Sequence, residues 1–159
     1  MNLRIICVGK IKEKYLAQGI AEYLKRLSRY NKVEIKEIND QKVPESMSLN
    51  EQAMVKKKEA AGIMRFLRGG AVKIVLAIEG KSLSSEELAQ HISGLALSGK
   101  SKVDFVIGGS IGLDDSIIKQ ADLLLSFSSF TFPHQLMRLI LVEQIYRSFR
   151  IINNEPYHK

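Results

Sequence analysis

The chain of 159 residues has no tryptophan, only three prolines and a single cysteine, Cys7. One cysteine excludes a disulfide framework and a cysteine-ligated metal site. Apolar runs are also short: none approaches the roughly 20 residues of a membrane-spanning helix, and the N-terminus has no signal-peptide core. We therefore expect a soluble, cytoplasmic protein.

Acidic residues are the minority among the charged ones, with 17 Asp and Glu against 24 Lys and Arg, which gives a formal net charge of +7. No separate basic tail carries this excess, so the positive charge is spread over the fold. Such a balance favours a polyanionic partner such as nucleic acid. The length suits one sizeable core and predicts a single domain over residues 1–159.

Five short apolar runs rich in branched residues alternate with longer segments of helical period. Because parallel strands need crossover helices, this alternation predicts an α/β fold: a mostly parallel sheet of five or six strands with helices on both faces. A capping box, Ser84 with Glu87, predicts the start of the third helix. The strands are predicted at 3–8, 33–38, 73–78, 103–107 and 123–127, and the helices at 15–27, 51–67 and 84–97.

The loops after the last three predicted strands are unusual, and ligands of open parallel sheets bind at the carboxyl ends of strands. Gly80 permits a tight turn after the third strand, and three glycines in residues 108–112 allow a close approach after the fourth. The order G-x-G-x-x-G and a P-loop lysine are both absent, so neither nucleotide motif is predicted. The third loop, 126–133, is rich in hydroxyls and aromatics and ends at Pro133, where a long helix begins.

The C-terminal helix is apolar on more than one face, so one face of a sheet cannot cover it. We expect its remaining apolar surface to lie in a subunit interface. Three arginines interrupt it. Arg147 follows Glu143 by four residues and either forms a structural ion pair with it or serves a site. Arg138 lies near the third loop, where it could hold an rRNA phosphate or a ligand carboxylate.

Several long motifs resemble the small SPOUT-class methyltransferases that modify N3 of a pseudouridine in large-subunit ribosomal RNA. They are V-G-K-x-K-E-K-Y near the start, F-V-I-G-G-S-x-G-L, L-S-F-S-x-x-T-F-P-H-Q-L-M-R, and N-x-x-P-Y-H-K at the end. The resemblance covers essentially the whole chain. It implies a trefoil-knotted fold, with the knot and the cofactor site in about residues 73–159, an obligate homodimer, and S-adenosylmethionine as the methyl donor.

The resemblance also implies which residues bind the cofactor. Apolar side chains and exposed backbone groups at these positions suit an adenine ring and its polar edge. No metal is expected, because the three histidines lack ligand spacing. The predicted cofactor-binding residues are Leu76, Gly108, Phe127, Ser128, Ser129, Phe130, Thr131 and Phe132.

The implied reaction is an in-line attack of a base nitrogen on the cofactor methyl, with removal of one imide proton. The resemblance places Tyr157 and His158 in this site, with the partner subunit contributing, and we also predict a catalytic role for Arg138. The alternative is that this C-terminal tail, residues 157–159, is simply disordered. His134 either satisfies the helix start or takes part in catalysis.

Basic residues concentrate in the first 32 positions and again at 56–58. Each alone is typical of a solvated helix face, but together they suit phosphate contacts, which position a nucleic acid without reading its sequence. The expected partner is 23S rRNA within the assembled 70S ribosome. The alternative function is a non-catalytic RNA- or nucleotide-binding dimer that uses the same basic surface.

Overall fold

Strands and helices alternate along the whole of the part that the computed structural model describes, residues 1–158. Lys159, which closes the predicted domain, lies outside the described residues. Within residues 1–158 no helix combines the length and apolarity needed to cross a membrane. The elements are β1 (Asn2–Val8), α1 (Lys14–Leu27), β2 (Lys32–Ile38), α2 (Leu49–Phe66), β3 (Val72–Ser82), α3 (Ser85–Leu97), β4 (Lys102–Ile107), α4 (Asp115–Ile118), β5 (Leu123–Ser126) and α5 (His134–Ile152).

The five strands of the described chain form one sheet in the order β2-β1-β4-β3-β5, and every neighbouring pair is parallel. The predicted α/β class and all five predicted strands are confirmed. Because the strands share one direction, the loops that follow β3, β4 and β5 emerge at the same edge.

Apolar residues fill both faces of the sheet, as neighbouring positions of β1 illustrate. Ile5 packs in the layer shared with α1, α3 and α5, whereas Ile6 packs in the layer shared with α2 and α4. Successive strand residues point to opposite faces, so a strand buried on both sides reads as a continuous apolar run. This explains why β1 shows no alternation in the sequence.

Reciprocal capping boxes fix where two of the helices begin. Ser84 accepts a hydrogen bond from the Glu87 N–H at 3.2 Å, and Glu87 accepts one from the Ser84 N–H at 2.7 Å, which confirms the predicted capping box. Ser48 and Glu51 form a second box that starts α2. Pro133 precedes α5 by one residue and does not occupy its first turn.

The prediction of a strand end at residue 78 and a turn at Gly80 was wrong. β3 continues to Ser82, with an irregularity over which both Leu76 and Lys81 pair with Leu125. A Cβ atom on Gly80 would lie 2.7 Å from the carbonyl carbon of Leu124. The glycine is needed because the backbone of β5 approaches it closely, and not because the chain turns there.

Gly80→Ala is therefore expected to destabilise the protein by about 1–3 kcal/mol, because a methyl group pressed against backbone atoms forces β5 to move. Urea unfolding measures the loss. Gly94→Ala in α3 is the matched control: apart from the backbone of its own helix and its chain neighbours, no atom lies within 4 Å of its Cβ position, so stability should not fall. Equal unfolding midpoints for the two variants would show that β5 can shift to make room for the methyl group without loss of stability.

The chain reverses direction after α5. Asn154 adopts a left-handed conformation with φ of 53°, and the Glu155 N–H donates a hydrogen bond to the Arg150 carbonyl at 2.9 Å. Asparagine is one of the few residues other than glycine that tolerates this conformation at a helix end. The last described residues, Glu155 to His158, consequently lie back along α5.

Candidate active site

A cavity of about 670 Å³ lies at the carboxyl ends of β3, β4 and β5, where the three unusual loops meet the first turn of α5. Its volume is within the range of roughly 300–1,000 Å³ that is typical of small-molecule sites. Ser129 lies outside its walls. The other predicted cofactor-binding residues line it: Leu76, Gly108, Phe127, Ser128, Phe130, Thr131 and Phe132.

The glycine loop, residues 108–112, presents backbone to this cavity. It closes on itself through an antiparallel bridge in which the Gly112 N–H donates to the Gly109 carbonyl at 3.1 Å. A Cβ atom on Gly108 would lie 2.8 Å from Leu113 Cγ, and Gly112 has a φ of 85°. A side chain is excluded at Gly108 by this packing, so peptide groups form part of the wall.

The third loop is held by its own hydroxyls. Ser126 Oγ donates to the Ser128 carbonyl at 3.2 Å, and Ser128 Oγ accepts from the Phe130 N–H at 3.0 Å. The Phe130 side chain, 77% exposed, stands at the cavity rim. An exposed aromatic ring above a backbone-lined wall is an arrangement that can stack on a flat heterocycle.

Charged and titratable groups in the cavity wall are few. They are Lys56 from α2, Glu79 from β3 and His134 from α5. Burial lowers the pKa of His134, with Asp40 acting in the opposite direction, so the imidazole is neutral at pH 7. The sequence pointed to His134 through its place beside Pro133, whereas it gave no sign that Lys56 would reach the cavity.

Arg138 does not reach the cavity. Its side chain is 1% exposed; Nη1 pairs with Glu37 Oε1 at 2.5 Å and Nη2 donates to the Gly9 carbonyl at 2.7 Å. A phosphate or ligand carboxylate cannot approach a guanidinium so enclosed. The geometry assigns Arg138 the joining of α5 to β1 and β2, in place of the predicted catalytic contact.

Tyr157 packs into a group of aromatic and charged side chains on α1 and α5. Its hydroxyl donates to Glu143 Oε1 at 3.1 Å, its ring lies edge-on to Tyr146 with centroids 4.9 Å apart, and the Arg147 guanidinium sits 4.7 Å from its centroid. Burial, together with hydrogen bonds to Tyr23 and Glu143, raises the pKa of Tyr157 well above its usual value. The phenol therefore stays protonated at physiological pH.

His158 is anchored at both ring nitrogens. Nε2 lies 2.7 Å from Glu86 Oε1 on α3, and Nδ1 lies 3.4 Å from Arg147 Nη1. Arg147 in turn forms the predicted ion pair with Glu143, at 2.6 Å. The tail is thus docked and not frayed, but in its own subunit neither Tyr157 nor His158 lines the cavity.

The segment before them is held equally well. Glu155 accepts a hydrogen bond from Tyr30 and pairs with Arg150 at 2.6 Å, and Arg150 also donates to the Pro156 carbonyl at 3.1 Å. Arg150, one of the three arginines of the C-terminal helix, therefore serves to hold the tail.

This chain is similar in sequence and in fold to proteins described as methyltransferases or methylases. A family model described as "Predicted SPOUT methyltransferase" matches residues 1–158. Proteins named "Ribosomal RNA large subunit methyltransferase H" from Alkaliphilus oremlandii, Bacillus pumilus and Clostridioides difficile are 55%, 58% and 56% identical over 159 residues, covering 100% of both chains each time. Among solved structures, a probable methylase family protein from Haemophilus influenzae Rd KW20 has a TM-score of 0.55 at 14% identity, over 99% of this chain and 70% of that one. This last likeness concerns the fold alone.

Proposed function

Because the chain belongs to the SPOUT methyltransferase family, we propose that it transfers a methyl group from S-adenosylmethionine to N3 of a pseudouridine in 23S rRNA. The observation that carries this proposal is the cavity, whose walls come from the three loops that the family motifs mark. The full-length relatives named as large-subunit rRNA methyltransferases support the choice of substrate.

The residues present fit the methyl donor. Leu76 and Phe132 offer apolar walls, Phe130 an exposed ring, and the glycine loop a wall of peptide groups for the edge of an adenine. S-adenosylmethionine supplies, when bound, a methyl group on a positively charged sulfur. Within residues 1–158 no three His, Cys, Asp or Glu side chains are grouped so that they could hold a metal ion.

The proposed active enzyme is a homodimer with a trefoil knot in about residues 73–159. Apolar residues of α5 that the subunit leaves partly exposed, such as Leu136 and Ile140, support a subunit interface along this helix. Because the tail lies away from the cavity of its own subunit, we place Tyr157 and His158 at the cavity of the partner subunit.

In this arrangement His158 accepts the imide proton of the target base. A hydrogen bond from Nε2–H to Glu86 leaves the lone pair on Nδ1, which accepts from Arg147 Nη1 at 3.4 Å in this subunit; the target base has to displace that long contact before Nδ1 receives the proton. Tyr157, protonated, can donate a hydrogen bond to a base carbonyl. Bound S-adenosylmethionine would supply the methyl group, and the remaining contribution of the protein would be to align N3 of the base with it.

The basic residues of the first 32 positions supply the surface for RNA. Lys10, Lys12, Lys14, Lys25, Arg26, Arg29 and Lys32 are all exposed. Arg26 pairs with Glu22, and the exposed side chains of this group can reach phosphates of an assembled 70S ribosome, the proposed partner, which would place the enzyme in the cytoplasm.

Purified protein incubated with labelled S-adenosylmethionine and 70S ribosomes from a strain that lacks the enzyme is expected to transfer label to 23S rRNA. Ribosomes that lack the target pseudouridine are the control and should stay unlabelled. The alternative, a non-catalytic RNA- or nucleotide-binding dimer, predicts ribosome binding without affinity for S-adenosylmethionine in calorimetry. Absence of label together with absence of heat would favour that alternative.

A further inference from the structure

A buried acid lies beside the cavity, next to apolar residues that pack between the sheet and α2. Glu59 is on the inner face of α2 and is 4% exposed, next to Ala60 and one turn before Ile63, both of which pack under the sheet. Burial raises the pKa of Glu59, and the charge of Asp40 raises it further, while a hydrogen bond from Gln41 acts in the opposite direction. A carboxyl group is costly to place in such surroundings.

The two carboxyl oxygens of Glu59 are bonded unequally. Oε1 accepts a hydrogen bond from the Gln41 N–H at 3.3 Å, in the connection between β2 and α2. Oε2 is fully enclosed and has no hydrogen-bond partner among the described residues. A buried oxygen without a partner is unusual in folded proteins and calls for an explanation.

The unpartnered oxygen faces the glycine loop. A Cβ atom on Gly109 would lie 3.1 Å from Glu59 Oε2 and 3.3 Å from Oε1. Gly109 and its neighbour Ser110 both line the cavity, whereas Glu59 does not. The carboxyl therefore supports the loop from behind, on the side away from any ligand.

We propose that Glu59 is a positioning residue for the methyl donor: its carboxyl holds the glycine loop in the shape that binds S-adenosylmethionine, by a hydrogen bond between Oε2 and the loop backbone in the loaded state. The inference rests on the proposed function, because it takes the cavity to be the cofactor site. It explains why a carboxyl occupies a position where an apolar side chain would pack at lower cost.

Two substitutions separate this role from simple space filling. Glu59→Met keeps the length of the side chain without its hydrogen bonds. It is expected to raise the thermal midpoint of unfolding and to lower the affinity for S-adenosylmethionine, measured by calorimetry, about tenfold. In Glu59→Gln the amide oxygen can still accept from the Gln41 N–H, and Nε2–H can donate to a carbonyl of the loop as the neutral carboxyl does, so this variant should bind S-adenosylmethionine within about threefold of the wild type. Glu45→Met, an exposed acid changed in the same way, is the control and should alter neither quantity.

A purely structural role makes the opposite prediction, since affinity and stability would then change together. Wild-type affinity in Glu59→Met, or equal losses in the Met and Gln variants, would overturn the inference. If Glu59→Met does not fold, Glu59→Ala compared with Glu59→Gln at low temperature decides in the same way. Wild-type protein that binds S-adenosylmethionine and methylates ribosomes, with no difference among the Glu59 variants, would reject this role and leave the proposed function intact.

Discussion

Methyl transfer by His158→Ala is expected to fall about 100-fold or more, because a positioned general base contributes roughly 10²–10⁴ to the rate of proton removal. Affinity for S-adenosylmethionine should stay at the wild-type value, since the proposed cofactor contacts are all made by the cavity walls and His158 is proposed to act on the target base. Single-turnover transfer to deletion-strain ribosomes and calorimetry measure the two quantities separately. His158→Gln sharpens the comparison: an amide can bond to Glu86 but cannot take up a proton, so this variant should be as inactive as the alanine variant.

Mixed dimers show whether His158 acts across the interface. Gly108→Leu is a suitable partner variant, because even a Cβ atom at this position would lie 2.8 Å from Leu113 Cγ and the longer side chain obstructs the cavity. A dimer of one His158→Ala subunit and one Gly108→Leu subunit retains one intact cavity and one intact tail, on different chains. Activity in the mixed dimer, with neither homodimer active, is the expected result. An inactive mixed dimer would place the tail in the site of its own subunit.

The largest loss of stability is expected from Asp104→Ala. Asp104 is 0% exposed, and its carboxylate accepts hydrogen bonds from the Arg68 Nε at 2.7 Å and the Arg68 N–H at 2.8 Å. Removing it leaves a largely buried guanidinium without its counter-charge, which costs about 3–5 kcal/mol. Urea unfolding followed by circular dichroism measures the change.

The Asp104→Ala substitution is expected to leave the cavity unchanged, because Asp104 lies away from it. Asp104 lies near the amino end of β4, whereas the cavity opens at the carboxyl ends of the strands, so protein that remains folded should bind S-adenosylmethionine normally. Glu22→Ala, which removes the solvent-exposed partner of Arg26, is the control and should leave the midpoint almost unchanged. Similar losses from the two variants would mean that Arg68 finds another partner.

Most elements of the fold were predictable because each has a local cause, whereas the four-residue α4 was not predicted. Branched apolar runs mark the strands, and Ser84 with Glu87 marks a helix start. The extension of β3 has no such local cause. Gly80 looks like a turn residue in the sequence, and only the approach of the Leu124 backbone shows that it lies in a strand.

Part of the candidate site could likewise be predicted from local sequence, and part could not. The cavity-lining loops were predicted, because glycines, hydroxyls and Pro133 mark them in the chain. The partners of Arg138 were not, because Glu37 and Gly9 are 101 and 129 residues away in sequence. Glu59 did leave a signal that was missed: a charge four residues after Val55 and four before Ile63, within the buried stripe of α2.

The central place of β1 in the sheet has a consequence for the synthesis of the protein. Asn2 pairs with Lys32 of β2 on one side and with Lys102 of β4 on the other. One edge of β1 therefore stays unpaired until β4 has been synthesised. At typical elongation rates of ~5–20 residues per second, that interval is on the order of ten seconds. Refolding in vitro should also be slow, since such distant pairings carry a large loop-closure cost. While ribosomes translate it, the proposed ribosome-modifying enzyme is a chain with an open apolar strand edge, of the kind that chaperones recognise.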